Sequence, residues 1–77
     1  MEYKELRKII ITRINEAVGR SGKSIAQIAR DAEIEPTMIY NYTTITRKGC
    51  IPSALTLVNL ADALDVSVDW LCGREGT

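Results

Sequence analysis

In the first third of the chain, apolar residues recur at spacings of three and four, the repeat of an amphipathic helix. They are Leu6, Ile10, Ile14, Ala17 and Val18. This pattern predicts a helix from about Tyr3 to Arg20. Gly22 is expected to end it, because glycine readily adopts the left-handed conformation that closes helices.

A second helical pattern follows this glycine directly. Ser24 is a typical N-terminal cap, and Gln27 lies at the spacing of a capping box. The pattern predicts a helix over Ile25–Ala32. Its shared apolar face carries Ile25, Ile28, Ala29 and Ala32.

Three residues separate this helix from Pro36, which suits the first turn of a helix because its missing N–H would be unpaired there. The chain from Thr37 to about Tyr42 is therefore predicted to form a third helix. Ala29 is small enough for a second helix to cross close above it, and Ile34 and Ile39 are expected to fill the wedge between the two helices. This is the spacing of a helix-turn-helix, which leaves the outer face of the second helix free to enter a major groove.

The remaining chain predicts a loop and two more helices. The β-branched run that begins at Thr43 favours a loop from Thr43 to Pro52. Ser53 is expected to cap a helix over Ala54–Leu64, and Ser67 a short helix over Val68–Cys72 closed by Gly73. The core-facing residues of the longer helix are expected to be Leu57, Val58, Leu60, Ala61 and Leu64. The chain thus predicts one all-α domain, residues 1–77, of five short helices.

Composition narrows the chemistry that this domain can perform. The 77 residues include no histidine, and 5% are aromatic. A core this small leaves little room for a deep substrate pocket, and no nucleophile has a base at an interpretable spacing, so we expect no enzyme, no catalytic residue, no metal and no cofactor. Cys50 and Cys72 lack metal-ligand spacing and are expected to be small hydrophobes in a reducing cytosol, with a disulfide as the alternative. The sequence shows no signal peptide and no membrane span, and we expect a cytoplasmic protein without a membrane partner.

The charges are unevenly distributed although they sum to zero. Residues 1–48 hold nine Lys/Arg and six Asp/Glu, a net of +3, while residues 49–77 hold one and four, a net of −3. Such a dipolar molecule can present its first part to a polyanion, although an ordinary mixed surface would give the same count.

The predicted helix-turn-helix, at about residues 24–43, is followed by two further characteristic segments. They read Pro52-Ser53-Ala54-Leu55-Thr56-Leu57 and Leu60-Ala61-Asp62-Ala63-Leu64-Asp65-Val66-Ser67-Val68-Asp69-Trp70-Leu71. In this combination and order, the chain resembles the Xre/lambda-repressor-like helix-turn-helix regulators of phages and bacteria from roughly Leu6 to Gly73. The resemblance implies a compact five-helix DNA-binding domain. It also implies a sequence-specific repressor that binds double-stranded DNA at an inverted repeat as a homodimer.

The same resemblance implies which residues contact DNA. The third helix would read bases through Pro36, Thr37, Met38 and Asn41. The Asn41 amide can pair with adenine N6 and N7, and its alternative is a solvated polar position on the helix. The residues implied to contact phosphate are Lys23, Ser24, Tyr40, Thr43, Thr44, Arg47 and Lys48. Arg47 and Lys48 are the strongest of these, whereas Tyr40 could equally lie against a neighbouring helix.

Dimer contacts are expected at the C-terminal end, from Val68, Trp70 and Leu71. Trp70 is a wide, flat anchor, and for all three residues the alternative is closure of the core. Because no sensor domain follows Thr77, we expect any induction to come from a regulatory protein partner, proteolysis or competition at the operator.

The chain departs from the family at several positions, and these keep a second function open. Ile25 replaces the glutamine that clamps a phosphate in family members, and Glu35 replaces a small hydroxyl residue. Glu33 replaces the turn glycine and must tolerate or avoid a positive φ at a cost of about 1 kcal/mol. The alternative is a protein-interaction module, antitoxin-like or adaptor, whose DNA-binding surface has degenerated.

Overall fold

The computed structural model describes residues 1–43 and 51–74. These residues form five α-helices and no β-strand, which confirms the all-α prediction. The helices are α1 (Tyr3–Ser21), α2 (Ile25–Ala32), α3 (Pro36–Thr43), α4 (Ala54–Leu64) and α5 (Val68–Leu71). Each end lies within one residue of the predicted one. The part of the predicted loop that covers residues 44–50 lies outside the described residues.

Serine caps explain where three of these helices begin. The hydroxyls of Ser24, Ser53 and Ser67 accept hydrogen bonds from backbone N–H groups three residues later, over 3.1, 3.3 and 3.0 Å. Each bond satisfies one of the N–H groups that a helix start leaves without an intrahelical partner. The caps predicted for α2, α4 and α5 are therefore confirmed.

Residues in the left-handed backbone conformation follow several helices, and two of these residues are acidic. Gly22 closes α1 at a φ of 71° and Gly73 follows α5 at 74°, as predicted. Glu33 closes α2 at a φ of 59°, so it adopts the strained conformation rather than avoiding it. Asp65 does the same at the end of α4, at 58°, which the sequence analysis did not predict.

The core is aliphatic and lies where all five helices meet. Its fully buried large side chains are Ile10, Ile14, Ile28, Ile39, Leu60 and Leu71. The predicted core position of Val58 is wrong, because its side chain is 45% exposed. Ile25, which was predicted to share the apolar face of α2, is 40% exposed. Val58 follows Leu57 by one residue, a rotation of about 100° that carries it from the buried face of α4 to solvent. Ile25 is the first residue of α2, where no preceding helical turn covers it.

The helices pack so that α3 is held from two sides. α2 packs against α4 and α3, while α1 packs against α3 and α5. The α2–turn–α3 unit is therefore supported by α1 on one side and α4 on the other. In the described part of the chain, no helix is both long enough and apolar enough to cross a membrane.

Candidate nucleic-acid interface

The α2–turn–α3 unit has the predicted packing. Ala29 is 1% exposed and Ile39 is completely buried, while Ile34 in the turn is half-buried against the core. Two backbone hydrogen bonds shape the turn: Glu33 N–H donates to the Arg30 carbonyl over 3.2 Å, and Ile34 N–H donates to the Ala29 carbonyl over 2.9 Å. These bonds satisfy two of the last four carbonyls of α2 and fix the direction in which the chain enters α3.

Burial of Ile39 turns a polar face of α3 outward. Thr37 and Asn41 are four residues apart and lie on the same side of the helix, away from Ile39. Thr37 is exposed and Asn41 is half-buried. The other predicted base-reading residues flank this face, Pro36 exposed at the start of α3 and Met38 half-buried. All four predicted base-reading residues therefore have accessible surface on one short helix.

The predicted phosphate contacts separate into three groups. Ser24 is exposed at the start of α2, and Tyr40 is 68% exposed on α3. Thr43 is the last residue of α3. Thr44, Arg47 and Lys48 lie outside the described residues, so the two cations expected to contribute most are not placed by the structure.

Lys23 has partners within the chain. Its ammonium nitrogen donates to the Asp31 carboxylate over 3.2 Å and to the Ala63 backbone carbonyl over 3.0 Å. The side chain thus joins the turn before α2 to the C-terminal end of α4, where a cation satisfies an otherwise unpaired carbonyl. The structure gives Lys23 this packing role, so the proposed phosphate contacts come from the other predicted residues.

Two carboxylates stand beside the outward face of α3. Glu33 and Glu35 are both exposed in the turn, and the backbone carbonyl of Glu35 accepts a hydrogen bond from Met38 N–H over 2.9 Å. Negative charge next to the first turn of α3 interacts favourably with the positive end of the helix dipole, and it repels an approaching polyanion. The local field at this end of α3 is therefore less attractive to DNA than the polar face alone suggests.

The predicted dimer residues lie mainly against their own chain. Leu71 is completely buried, so it closes the core, which was its alternative role. Val68 and Trp70 are half-buried and pack against the core. The guanidinium carbons of Arg13 and Arg20 lie 4.6 and 5.2 Å from the centre of the Trp70 ring. Two cations of α1 therefore contact the Trp70 ring.

An exposed apolar pair on α4 was not predicted from the sequence. Leu55 is 70% exposed and Val58 is 45% exposed, and the two lie one turn apart on the same side of the helix. The missed signal is the period of the neighbouring apolar residues: once Leu57, Leu60 and Leu64 define the buried face, Leu55 and Val58 must lie outside it.

The thiol of Cys72, which directly follows α5, is half-buried. Burial raises the pKa of the Cys72 thiol, the carboxylate of Asp69 raises it further, and the Arg74 guanidinium lowers it. The thiol is free, so the structure does not join it to another cysteine. Cys50 lies outside the described residues.

The described residues bring together no group of three or more carboxylate, thiol or imidazole side chains that could hold a metal ion. No family model, no curated protein and no solved structure matches this chain. The function therefore has to be inferred from the geometry of α2, α3 and the elements that support them.

Proposed function

We propose that this protein is a sequence-specific regulator of transcription that binds double-stranded DNA. In this proposal α2, the turn and α3 act as a helix-turn-helix in a lambda-repressor-like fold, and α3 enters the major groove. The observation that carries the proposal is the outward face of Thr37 and Asn41, held opposite the buried Ile39. A short, rigidly supported helix with an exposed polar face is what base recognition requires.

Base recognition would rest mainly on Asn41. Its amide offers one donor and one acceptor, which match adenine N7 and N6 in the major groove. Thr37 and Met38 can pack against a thymine methyl group, and Thr37 can also donate to a base acceptor or a phosphate. Pro36 contributes shape at the start of α3. The expected half-site therefore contains A·T pairs opposite this face.

Phosphate contacts would come from the two ends of the α2–turn–α3 unit. Ser24 stands at its beginning, while Tyr40 and Thr43 stand near its end. Thr44, Arg47 and Lys48 follow directly in the sequence, and the two cations would supply most of the salt-dependent affinity.

A second copy of the chain would complete the operator contact. One module of this size buries little DNA surface, so specificity in a genome generally requires two half-sites. We propose that the protein binds an inverted repeat as a homodimer and acts as a repressor. The expected contacts were Val68, Trp70 and Leu71. Leu71 is buried, and the fractional exposure of Leu55 and Val58 on α4 is larger than that of Val68 and Trp70. Sedimentation of Leu55→Lys and Trp70→Ala variants would identify which side forms the dimer.

The proposal is tested by selecting bound duplexes from a random DNA pool at moderate salt. The native chain, Asn41→Ala and the control Asn59→Ala on α4 would be compared. We expect a two-fold-symmetric site with the native chain and with Asn59→Ala. The same A·T position should lose its preference with Asn41→Ala, at a cost of about 1–3 kcal/mol in discrimination. No enrichment by a folded native chain would overturn the proposal.

A protein-interaction module is the second candidate. The exposed carboxylates of Glu33 and Glu35 beside α3, and the exposed Ile25 at the start of α2, favour it. Salt dependence separates the two functions, because a DNA reader loses affinity steeply between low and physiological salt. An interaction module would show no DNA binding to lose.

A further inference from the structure

A shallow recess lies on the side of the molecule formed by α1 and Gly73, the second residue after α5. It has a volume of about 280 Å³ and is lined by Lys8, Ile9, Thr12, Arg13 and Gly73. None of these residues belongs to α2 or α3. We propose that this recess binds an acidic segment of a partner protein, with a carboxylate at its rim and an apolar side chain at its floor.

The rim carries two cations without anionic partners. Among the described residues, no ion pair joins Lys8 or Arg13 to a carboxylate, whereas Arg20 pairs with Glu16 and Lys23 with Asp31. The lining itself contains no carboxylate. The recess therefore presents positive charge that a partner can neutralise, and its complement is an anion.

Arg13 is already oriented for this contact. Its guanidinium carbon lies 4.6 Å from the centre of the Trp70 ring, so the aromatic side chain holds the planar group in place. Such contact leaves the N–H edges of a guanidinium available, and these edges match a carboxylate in two parallel hydrogen bonds. Little side-chain entropy then remains to be lost when the anion binds.

The apolar part of the recess favours a peptide over DNA as its ligand. Ile9 and the backbone of Gly73 approach so closely that a Cβ atom on Gly73 would lie 2.7 Å from Ile9 Cγ2. The Ile9 side chain therefore packs directly against the Gly73 backbone, and together they form an apolar part of the recess. A small apolar recess accepts one side chain, whereas a sugar-phosphate backbone requires a broad polar surface. The inference is independent of the proposed DNA contacts, because none of the residues that line the recess is among them.

The test uses a short peptide of alternating glutamate and leucine, with glutamine–leucine and lysine–leucine peptides of the same length as controls. Trp70 is the single tryptophan of the chain and contacts the guanidinium of Arg13, a lining residue, so its emission reports on changes at Arg13. We expect the glutamate peptide to change this emission saturably and to shift the amide resonances of Ile9, Arg13 and Gly73. The two control peptides should leave both signals unchanged.

Variants of the native chain complete the experiment. Lys8→Gln and Arg13→Gln should each weaken peptide binding about fivefold, the size expected for loss of one partly exposed ion pair. Lys8→Gln does not remove the Arg13–Trp70 contact, so it tests the charge without altering the reporter. Arg30→Gln, which removes an exposed cation of α2, should bind like the native chain. Three results would overturn the proposal: no saturable binding, shifts confined to α2 and α3, or a DNA duplex that shifts the recess amides and is weakened by Lys8→Gln.

Discussion

The ammonium nitrogen of Lys23 lies 3.0 Å from the backbone carbonyl oxygen of Ala63, forty residues later in the chain. The same nitrogen is 3.2 Å from the Asp31 carboxylate. One side chain therefore connects the turn before α2, α2 itself and the C-terminal end of α4. This bridge helps to fix the support on which α3 is presented.

Lys23→Gln should reduce stability without changing how DNA binding depends on salt. We expect the free energy of unfolding to fall by about 1 kcal/mol, because a charged hydrogen bond and a partly exposed ion pair are lost. Lys4→Gln, which removes an exposed lysine near the start of α1, is the control for charge and should leave stability nearly unchanged. Urea unfolding measures the first quantity, and binding at several salt concentrations measures the second. The slope of the logarithm of the binding constant against the logarithm of salt concentration could instead fall by about one for Lys23→Gln and not for Lys4→Gln. That result would show that Lys23 contacts a phosphate.

Gly73 and Gly22 form a matched pair for testing backbone strain against steric contact. Both have positive φ, at 74° and 71°, but only a Cβ atom on Gly73 meets a neighbour within 4 Å. Gly22→Ala should therefore cost about 1 kcal/mol from backbone strain alone. Gly73→Ala should cost about 3 kcal/mol, because the new methyl group also displaces Ile9.

A double-mutant cycle with Ile9→Ala isolates the steric part of this difference. Removing the Cγ2 atom should recover part of the loss in Gly73→Ala and none of the loss in Gly22→Ala. Thermal unfolding of the five variants gives the coupling energies. Equal losses for the two glycine variants would show that the approach of Ile9 to position 73 is not restrictive.

Glycine at position 33 or 65 should stabilise the protein. Glu33 and Asp65 hold left-handed φ values of 59° and 58°, which favour glycine over other residues. Relief of this strain exceeds the additional backbone freedom of glycine in the unfolded chain, so each substitution should raise the free energy of unfolding by about 0.5–1 kcal/mol. Gln27→Gly, inside α2, should instead lower it by about 1 kcal/mol. Urea midpoints that fall for Glu33→Gly would contradict the strain argument.

The helices could be predicted from the sequence because their boundaries are determined locally. Ser24, Ser53 and Ser67 each precede an apolar pattern, and each hydroxyl caps the helix that follows. Positions that depend on neighbouring helices were harder to predict. Val58 is apolar but exposed, and it can be assigned to the solvent side only after Leu57, Leu60 and Leu64 are known to form the buried face of α4.

The candidate site divides in the same way. The outward placement of Thr37 and Asn41 follows from the period of α3 once Ile39 is buried, so the sequence was sufficient to predict it. The partners of Lys23 and Trp70 come from elements far apart in the chain, Ala63 for the first and Arg13 for the second. No local pattern encodes such contacts, and therefore only the fold could show them.

Cys72 should react slowly with thiol reagents, because burial and Asp69 raise the pKa of its thiol. In a Cys50→Ser background, the reaction with an aromatic disulfide reagent at mildly alkaline pH should be slower than that of a free model thiol. Asp69→Asn should accelerate it, whereas Asp65→Asn should not. The raised pKa of the Cys72 thiol also makes the free energy of unfolding depend on pH. The stabilisation from the neutral thiol is fully present below the unfolded-state pKa and is lost as pH rises through the folded-state pKa. Faster reaction in the folded chain than in urea would contradict this assignment.

Glu35→Gln should strengthen DNA binding if α3 enters the groove as proposed. The exposed carboxylate stands immediately before the first turn of α3, where the proposed interface brings phosphates close. Removing one repulsive charge should tighten binding about threefold at low salt, and the gain should shrink as salt screens the interaction. Asp62→Asn, on the exposed side of α4, removes the same charge away from α3 and should have little effect. Fluorescence anisotropy with the selected duplex measures both variants. An equal response of the two would mean that only net charge matters, whereas a gain for Glu35→Gln alone places the phosphates beside this end of α3.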